Sequence, residues 1–168
     1  MPNLRSFAPA DTTACLDLFD GNTPRFFAVH ERMDFSRYLL DSKRQHDYLV
    51  VERQGRIVAC GGLALDDAHT AAFCWGMVER SQHRQGVGRA LALERLARAR
   101  ALGVRRVVLS TSQQTCGFYA ALGFALTRVV ADGHGPGLDA MEMECTLPVA
   151  RNAAPGATRS PASSTPAR

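Results

Sequence analysis

Residues 71–111 read as strand, long helix, strand, and this unit constrains the fold more than any other feature of the 168-residue chain. AAFCWGMV (71–78) is an apolar, strand-like run, and RRVVLST (105–111) is a second one. The 86–102 segment between them is rich in Ala, Leu and Arg, which favour helix, and Gly103 supplies a left-handed stop. Such a unit reads as a βαβ crossover, whose two strands run parallel. The neighbouring connections are instead hairpins. YLVVER (48–53) and RIVACGGLAL (56–65) are split by Gln54-Gly55, and FALTRVV (124–130) leads to the alternating AMEMECTL (140–147). The expected fold is therefore mixed α/β (α+β): a mostly antiparallel central sheet flanked by helices, with one βαβ crossover in its middle.

The remaining segments complete the order β-α-α-β-β-β-α-β-α-β-β. LRSF (4–7) is an opening strand, a helix starts at Pro9, Ala10 and Asp11 and runs to about Asp20, and a second helix spans roughly 30–40. NTPRFF (22–27) reads as a loop and NTPRFFAVHERMDF (22–35) as one wall over the sheet; Phe26 and Phe27 could be core, staple or pocket, with core packing favoured for their large burial energy. In the long helix, Glu94 and Arg98 interrupt the apolar face but can pair at i,i+4. TCGFYAAL (115–122) is a short helix stopped at Gly123. DGHGPGLDAMEM (132–143) reads as a shaped loop beside an acceptor site.

One domain over 1–148 is expected. The 149–168 segment, rich in Pro, Ala, Ser and Arg, lacks the apolar surface to offset ordering entropy and is expected to be disordered. Without its Arg151, Arg159 and Arg168, 17 basic residues face 16 acidic ones, so the net charge of +4 belongs largely to the tail. That argues against a nucleic-acid-binding face on the domain. No apolar run reaches the roughly 20 residues of a membrane span, and the first residues carry no signal-peptide core, so a soluble, cytoplasmic protein is expected. Five scattered cysteines without a CxxC pair read as free thiols, with no metal site expected.

HRQGVGRAL (83–91) places Gly86 and Gly88 at the start of the long helix, where exposed N–H groups and the helix dipole favour an anion. Three phosphate loops fit such a segment to different degrees. A Walker loop needs a lysine, but the one lysine is Lys43. A dinucleotide loop needs a third glycine, where this chain has Leu91, and an acid about 20 residues on, where it has Arg105 and Arg106. What remains is a pyrophosphate arm on a helix start, or a glycine-bearing helix start with no ligand.

From Trp75 onward the chain resembles the GNAT family of N-acetyltransferases. HRQGVG fits the family's Gln/Arg-x-x-Gly-x-Gly/Ala loop with His83 in first place, and VVLSTS (107–112) and FYAALGF (118–124) follow in the family's order. Gln113 stands near a position where the family often has Asn. The resemblance covers roughly 3–147 and is strongest over 75–124. It implies acetyl-CoA as cosubstrate and transfer of its acetyl group to a primary amine of a small molecule or peptide. It implies cofactor contacts at Met77, Val78, His83, Arg84, Gln85, Gly86, Val87, Gly88, Arg89, Ser112 and Phe118. It also implies that the 76–78 strand pairs its backbone with the pantetheine arm in a slot opened by separation from the 107–112 strand.

By the same resemblance Tyr119 lies beside the sulfur. A phenol is protonated at neutral pH and can donate to a leaving thiolate; an ordinary packed aromatic is the alternative. Some relatives carry a basic Glu on the central strand, where this chain reads Ala71, Ala72, Phe73, so no general base is assigned. Glu31, Asp132 and Asp139 could attract a cationic amine. A non-catalytic acyl-CoA-binding or regulatory module stays open as an alternative, as does a nucleic-acid role for the tail. The last strand could pair across a homodimer.

Overall fold

The computed structural model of the protein describes residues 2–41, 43 and 47–149. Apart from Val149, the expected disordered tail lies outside these residues. Seven strands form one sheet: β1 (Asn3–Ser6), β2 (Tyr48–Arg53), β3 (Arg56–Leu65), β4 (Thr70–Val78), β5 (Arg106–Thr111), β6 (Ala125–Gly135) and β7 (Leu138–Thr146). Their spatial order is β1-β2-β3-β4-β5-β7-β6. Only β4 and β5 pair in parallel among the described strands, as expected of a βαβ crossover. The β2–β3 turn has left-handed φ at both Gln54 (52°) and Gly55 (73°), the twist that matches a two-residue hairpin.

Four helices cover the two faces. α1 (Thr12–Gly21) and α2 (Arg32–Leu40) lie on one face; α3 (Val87–Ala101) and the short α4 (Cys116–Ala121) lie on the other. Alternation along the strands feeds both faces. Tyr48, Val50, Cys60 and Cys74 pack with α1 and α2, while Leu49, Val51, Ala59 and Phe73 pack on the α3 side. On the α1 side Phe19 and Phe35 stack with ring centroids 5.6 Å apart, and Phe35 lies 5.1 Å from Trp75. Each such ring contributes about 1.5–3 kcal/mol by burial.

Phe27 packs in the core, at 8% exposure against Phe19 and Trp75, and half-buried Phe26 packs against the same cluster, as expected. Other local expectations change. The expected 132–143 loop is largely strand: β6 runs to Gly135 and β7 starts at Leu138. Asp132, at φ 52°, accepts the Gly137 N–H (2.8 Å), and Asp139 accepts the Asp132 N–H (3.0 Å), so side chains replace the missing ladder bonds there. The last strand has no free edge for a second copy, because β5 and β6 flank it on both sides.

Glu94 and Arg98 pair at 3.0 Å on the outer side of α3 and do not interrupt its packed face. That face is Val87, Leu91, Ala92, Arg95, Leu96 and Ala99, and the residue that interrupts it is Arg95.

Candidate functional site

β4 and β5 are in register only over Thr70–Ala72 and Arg106–Val108. Beyond that the two strands separate. A bulge lies on the far side of β4: Cys60 faces Met77 and Gly62 faces Cys74, so Trp75 and Gly76 together oppose Gly61 alone. Trp75 sits at φ 46°, a costly conformation for a bulky residue. Its carbonyl accepts a 2.7 Å hydrogen bond from the buried Tyr48 hydroxyl. Burial pushes the Tyr48 phenol well above its ordinary range, so it stays a donor. The bulge bends β4 away from β5 and leaves part of its backbone facing a gap.

Parity says which part. Glu79 donates its N–H to Val58 O on β3 (2.8 Å). Extended strands alternate, so Val78 directs its N–H to the gap. Val78 O accepts from Asn22 Nδ2 (3.0 Å) and His83 Nε2 (2.9 Å). Met77 is in register with Cys60, and its side chain is buried on the α1 face.

The gap opens into a cleft of about 750 Å³. At its mouth is the loop before α3, with left-handed φ at Arg84 (62°) and Gly86 (82°). Such alternation turns successive N–H groups toward one point. α3 has no side-chain N-cap, so its first N–H groups are left for an anion. A Cβ on Gly88 would come 3.3 Å from Val78 Cγ2 and 3.5 Å from Phe118 Cζ, so this glycine lets the helix start close in on the cleft wall.

Of the eleven cofactor positions read from the sequence, Met77, Val78, His83, Arg84, Gly86, Gly88, Arg89 and Phe118 line the cleft, as does Tyr119. Gln85 turns away, accepting from Arg53 (3.0 Å) and donating to Ser81 O (3.1 Å). Val87 is buried beneath the loop with Leu91. Ser112 is 1% exposed, and its carbonyl accepts the Thr115 and Cys116 N–H groups at the start of α4. Gln113 bridges to the β6–β7 hairpin through Gly137 O (2.7 Å) and the Asp139 N–H (2.9 Å).

Tyr119 is half-buried among Phe73, Phe118 and Phe124. Its hydroxyl lies 3.3 Å from where a Gly76 Cβ would stand and makes no hydrogen bond among the described residues.

Charge in the cleft has one sign. Arg25, Arg80, Arg84, Arg89 and Arg95 line it, and no Asp or Glu does among the described residues. The three acids read as amine-attracting hold backbone instead: Asp132 and Asp139 in their hairpin, and Glu31 on the Ala28 N–H (2.9 Å). His134 Nε2 lies 2.9 Å from Ser110 Oγ and 3.1 Å from Thr111 O.

Sequence reasoning missed Arg95, which had a readable signal: it is four residues from both Leu91 and Ala99, on the packed face. The bulge at Trp75 and Gly76 had none, since it arises from pairing between two strands.

The chain matches the Acetyltransferase (GNAT) family over residues 14–124 and belongs to that family. Membership supports N-acetyltransferase activity in general. Solved structures agree in fold. The ribosomal-protein-S18-alanine N-acetyltransferase from Escherichia coli is 18% identical, with a TM-score of 0.74 over 92% of this chain and 99% of that one. Ard1 from Thermoplasma volcanium is 19% identical, with a TM-score of 0.72 over 87% and 97%. The yncA protein from Salmonella typhimurium, solved with its cofactor acetyl-CoA, is 18% identical, with a TM-score of 0.69 over 94% and 99%. Among the described residues no helix is long and apolar enough to cross a membrane.

Proposed function

We propose that the protein is an acyl-CoA-dependent N-acyltransferase that passes an acyl group directly to a primary amine. The observation that carries this reading is the gap between β4 and β5, continuous with the uncapped, Arg-flanked start of α3. A pyrophosphate fits the loop N–H groups, with Arg84 and Arg89 beside it. The amide-bearing pantetheine arm can add to β4 as a short strand, using the backbone of Val78. The thioester carbonyl then meets an N–H from this same edge, which stabilises charge developing on oxygen.

Tyr119 is the proposed acid. Its uncommitted hydroxyl stands beside Gly76 and can protonate the departing thiolate. With no carboxylate among the described residues that line the cleft, the amine enters neutral or gives its proton to water in the open mouth.

The test is a thermal-shift titration with CoA, acetyl-CoA, NAD and ATP. Ligand at 100 times its Kd should stabilise the fold by about 2.7 kcal/mol. Response to the CoA species alone supports the reading and leads to thiol-release assays with amines. Response to NAD or ATP alone removes it.

A further inference from the structure

Among the described residues, Arg95 is a buried cation without a counter-ion. It is 2% exposed, and its hydrogen bond is a single one from Nη1 to Gly62 O (3.2 Å). Nε has no partner among the described residues. The guanidinium carbon stands 3.9 Å above the Phe73 ring. The sheet is hollowed to receive this group. A Cβ on Gly61 would meet Arg95 Cζ at 3.0 Å, and one on Gly76 would meet Nη2 at 3.2 Å. An arginine kept only for packing normally sits on a carboxylate, because an unpaired buried charge costs several kcal/mol.

Nothing at the cleft mouth supplies that charge. Arg95 is eight residues beyond Val87, so it lies about 12 Å along the helix from the phosphate-type loop. A pantetheine arm is neutral. The guanidinium does face the reacting region, since Nη2 and the Tyr119 hydroxyl both approach the same Gly76 position, at 3.2 and 3.3 Å. It shares the α3–α4 face with Tyr119, the side where the donor would lie.

We propose that Arg95 reads a carboxylate on the acyl chain, so that the preferred donor is a CoA thioester of a short dicarboxylic acid; this rests on the acyl-CoA reading above. The reaction is ordinary acyl transfer. The amine nitrogen attacks the thioester carbon, a C–N bond forms and the C–S bond breaks. The nitrogen's proton leaves to water, and the sulfur takes one from Tyr119, which is reprotonated from solvent. The acyl carboxylate stays intact, held against Nη2, the guanidinium nitrogen that approaches the cleft beside Gly76. A charge-assisted bond of this kind is roughly twice as strong as one to a neutral acetyl oxygen.

The experiment is isothermal titration of the full chain with CoA, acetyl-CoA, malonyl-CoA and succinyl-CoA. At least one dicarboxylic thioester should bind about tenfold or more tightly than acetyl-CoA, the lower range for a charged hydrogen-bonded pair. Arg95→Met should bring that ratio to about one. Should that variant fail to fold, Arg95→Lys keeps a cation but loses the fork, and the ratio should fall part of the way. Equal binding of all acyl species by the unaltered chain, or tighter acetyl-CoA, would overturn the Arg95 proposal and leave the acyl-CoA reading standing. No binding of any CoA species would overturn both.

Discussion

The cleft is cationic at both ends, but the two ends are built differently. At the mouth, Arg84 and Arg89 are exposed, and backbone N–H groups share the work of meeting an anion. At the floor, Arg95 is covered, and the glycines of two strands make room for it. An exposed cation is already solvated, so it attracts anions broadly and weakly, and salt screens it. A buried one has lost its water and distinguishes sharply between a ligand that supplies a charge and one that does not. The mouth is therefore suited to holding a common carrier, and the floor to choosing what it carries.

Perturbations at the floor should be the largest. Tyr119→Phe is expected to lower kcat by about 10²–10⁴, the usual range for a general acid, with CoA affinity nearly unchanged. Steady-state kinetics with a thiol-release assay reads this, and an unaltered kcat would remove Tyr119 from the chemistry.

Gly76→Ala adds one methyl between Arg95 and Tyr119, at 3.2 and 3.3 Å from them. Crowding of this kind costs about 1–3 kcal/mol. The loss should fall more on acyl-CoA binding than on melting temperature, because the cleft is the side that can give. Tyr48→Phe leaves the Trp75 carbonyl without its buried donor. A loss of about 1–2 kcal/mol in denaturant unfolding is expected, together with weaker CoA binding as the bulge relaxes.

At the mouth, Arg84→Ala or Arg89→Ala should weaken CoA binding by about 0.3–1 kcal/mol each at low ionic strength. The effect should shrink in 0.5 M salt, whereas floor effects should persist. A salt-insensitive loss would mean the mouth is less solvated than its exposure indicates.

Far from both, Asp11 provides the smallest effect. Arg5 hydrogen-bonds its carboxylate at 2.7 Å and holds its pKa below the usual range, helped by the Ala8 N–H. Its contribution is complete above about pH 4 and is lost as pH falls through the lowered native value. Asp11→Asn should remove about 1 kcal/mol or less at pH 7, given the partial exposure of Arg5, and should flatten the acid limb of a pH-stability profile.

Much of this molecule was legible because its signals are local. The Gln54-Gly55 hairpin and the Gly103 stop after α3 follow from residues within a few positions of one another, and the parallel pairing of β4 with β5 from the order of three locally readable elements. The HRQGVG loop was legible too, since φ near +80° at Gly86 is a demand on a single residue. The placement of Asp132 and Asp139 was not. Whether an acid faces a ligand or caps its own hairpin depends on strand length, which pairing with β7 decides.

The sequence by itself determined the element order, the mixed sheet and the basic glycine loop opening a helix, because backbone propensity and apolar period act over a few residues. Only the tertiary structure decided that β4 parts from β5 after Ala72, that the last strand is interior, and that Arg95 lies against Gly61, Gly62 and Gly76. Those outcomes depend on contacts between residues far apart in the chain, such as Thr70 with Arg106 and Gly61 with Arg95. The energy of a buried charge is set by what surrounds it in space, which a linear pattern does not record.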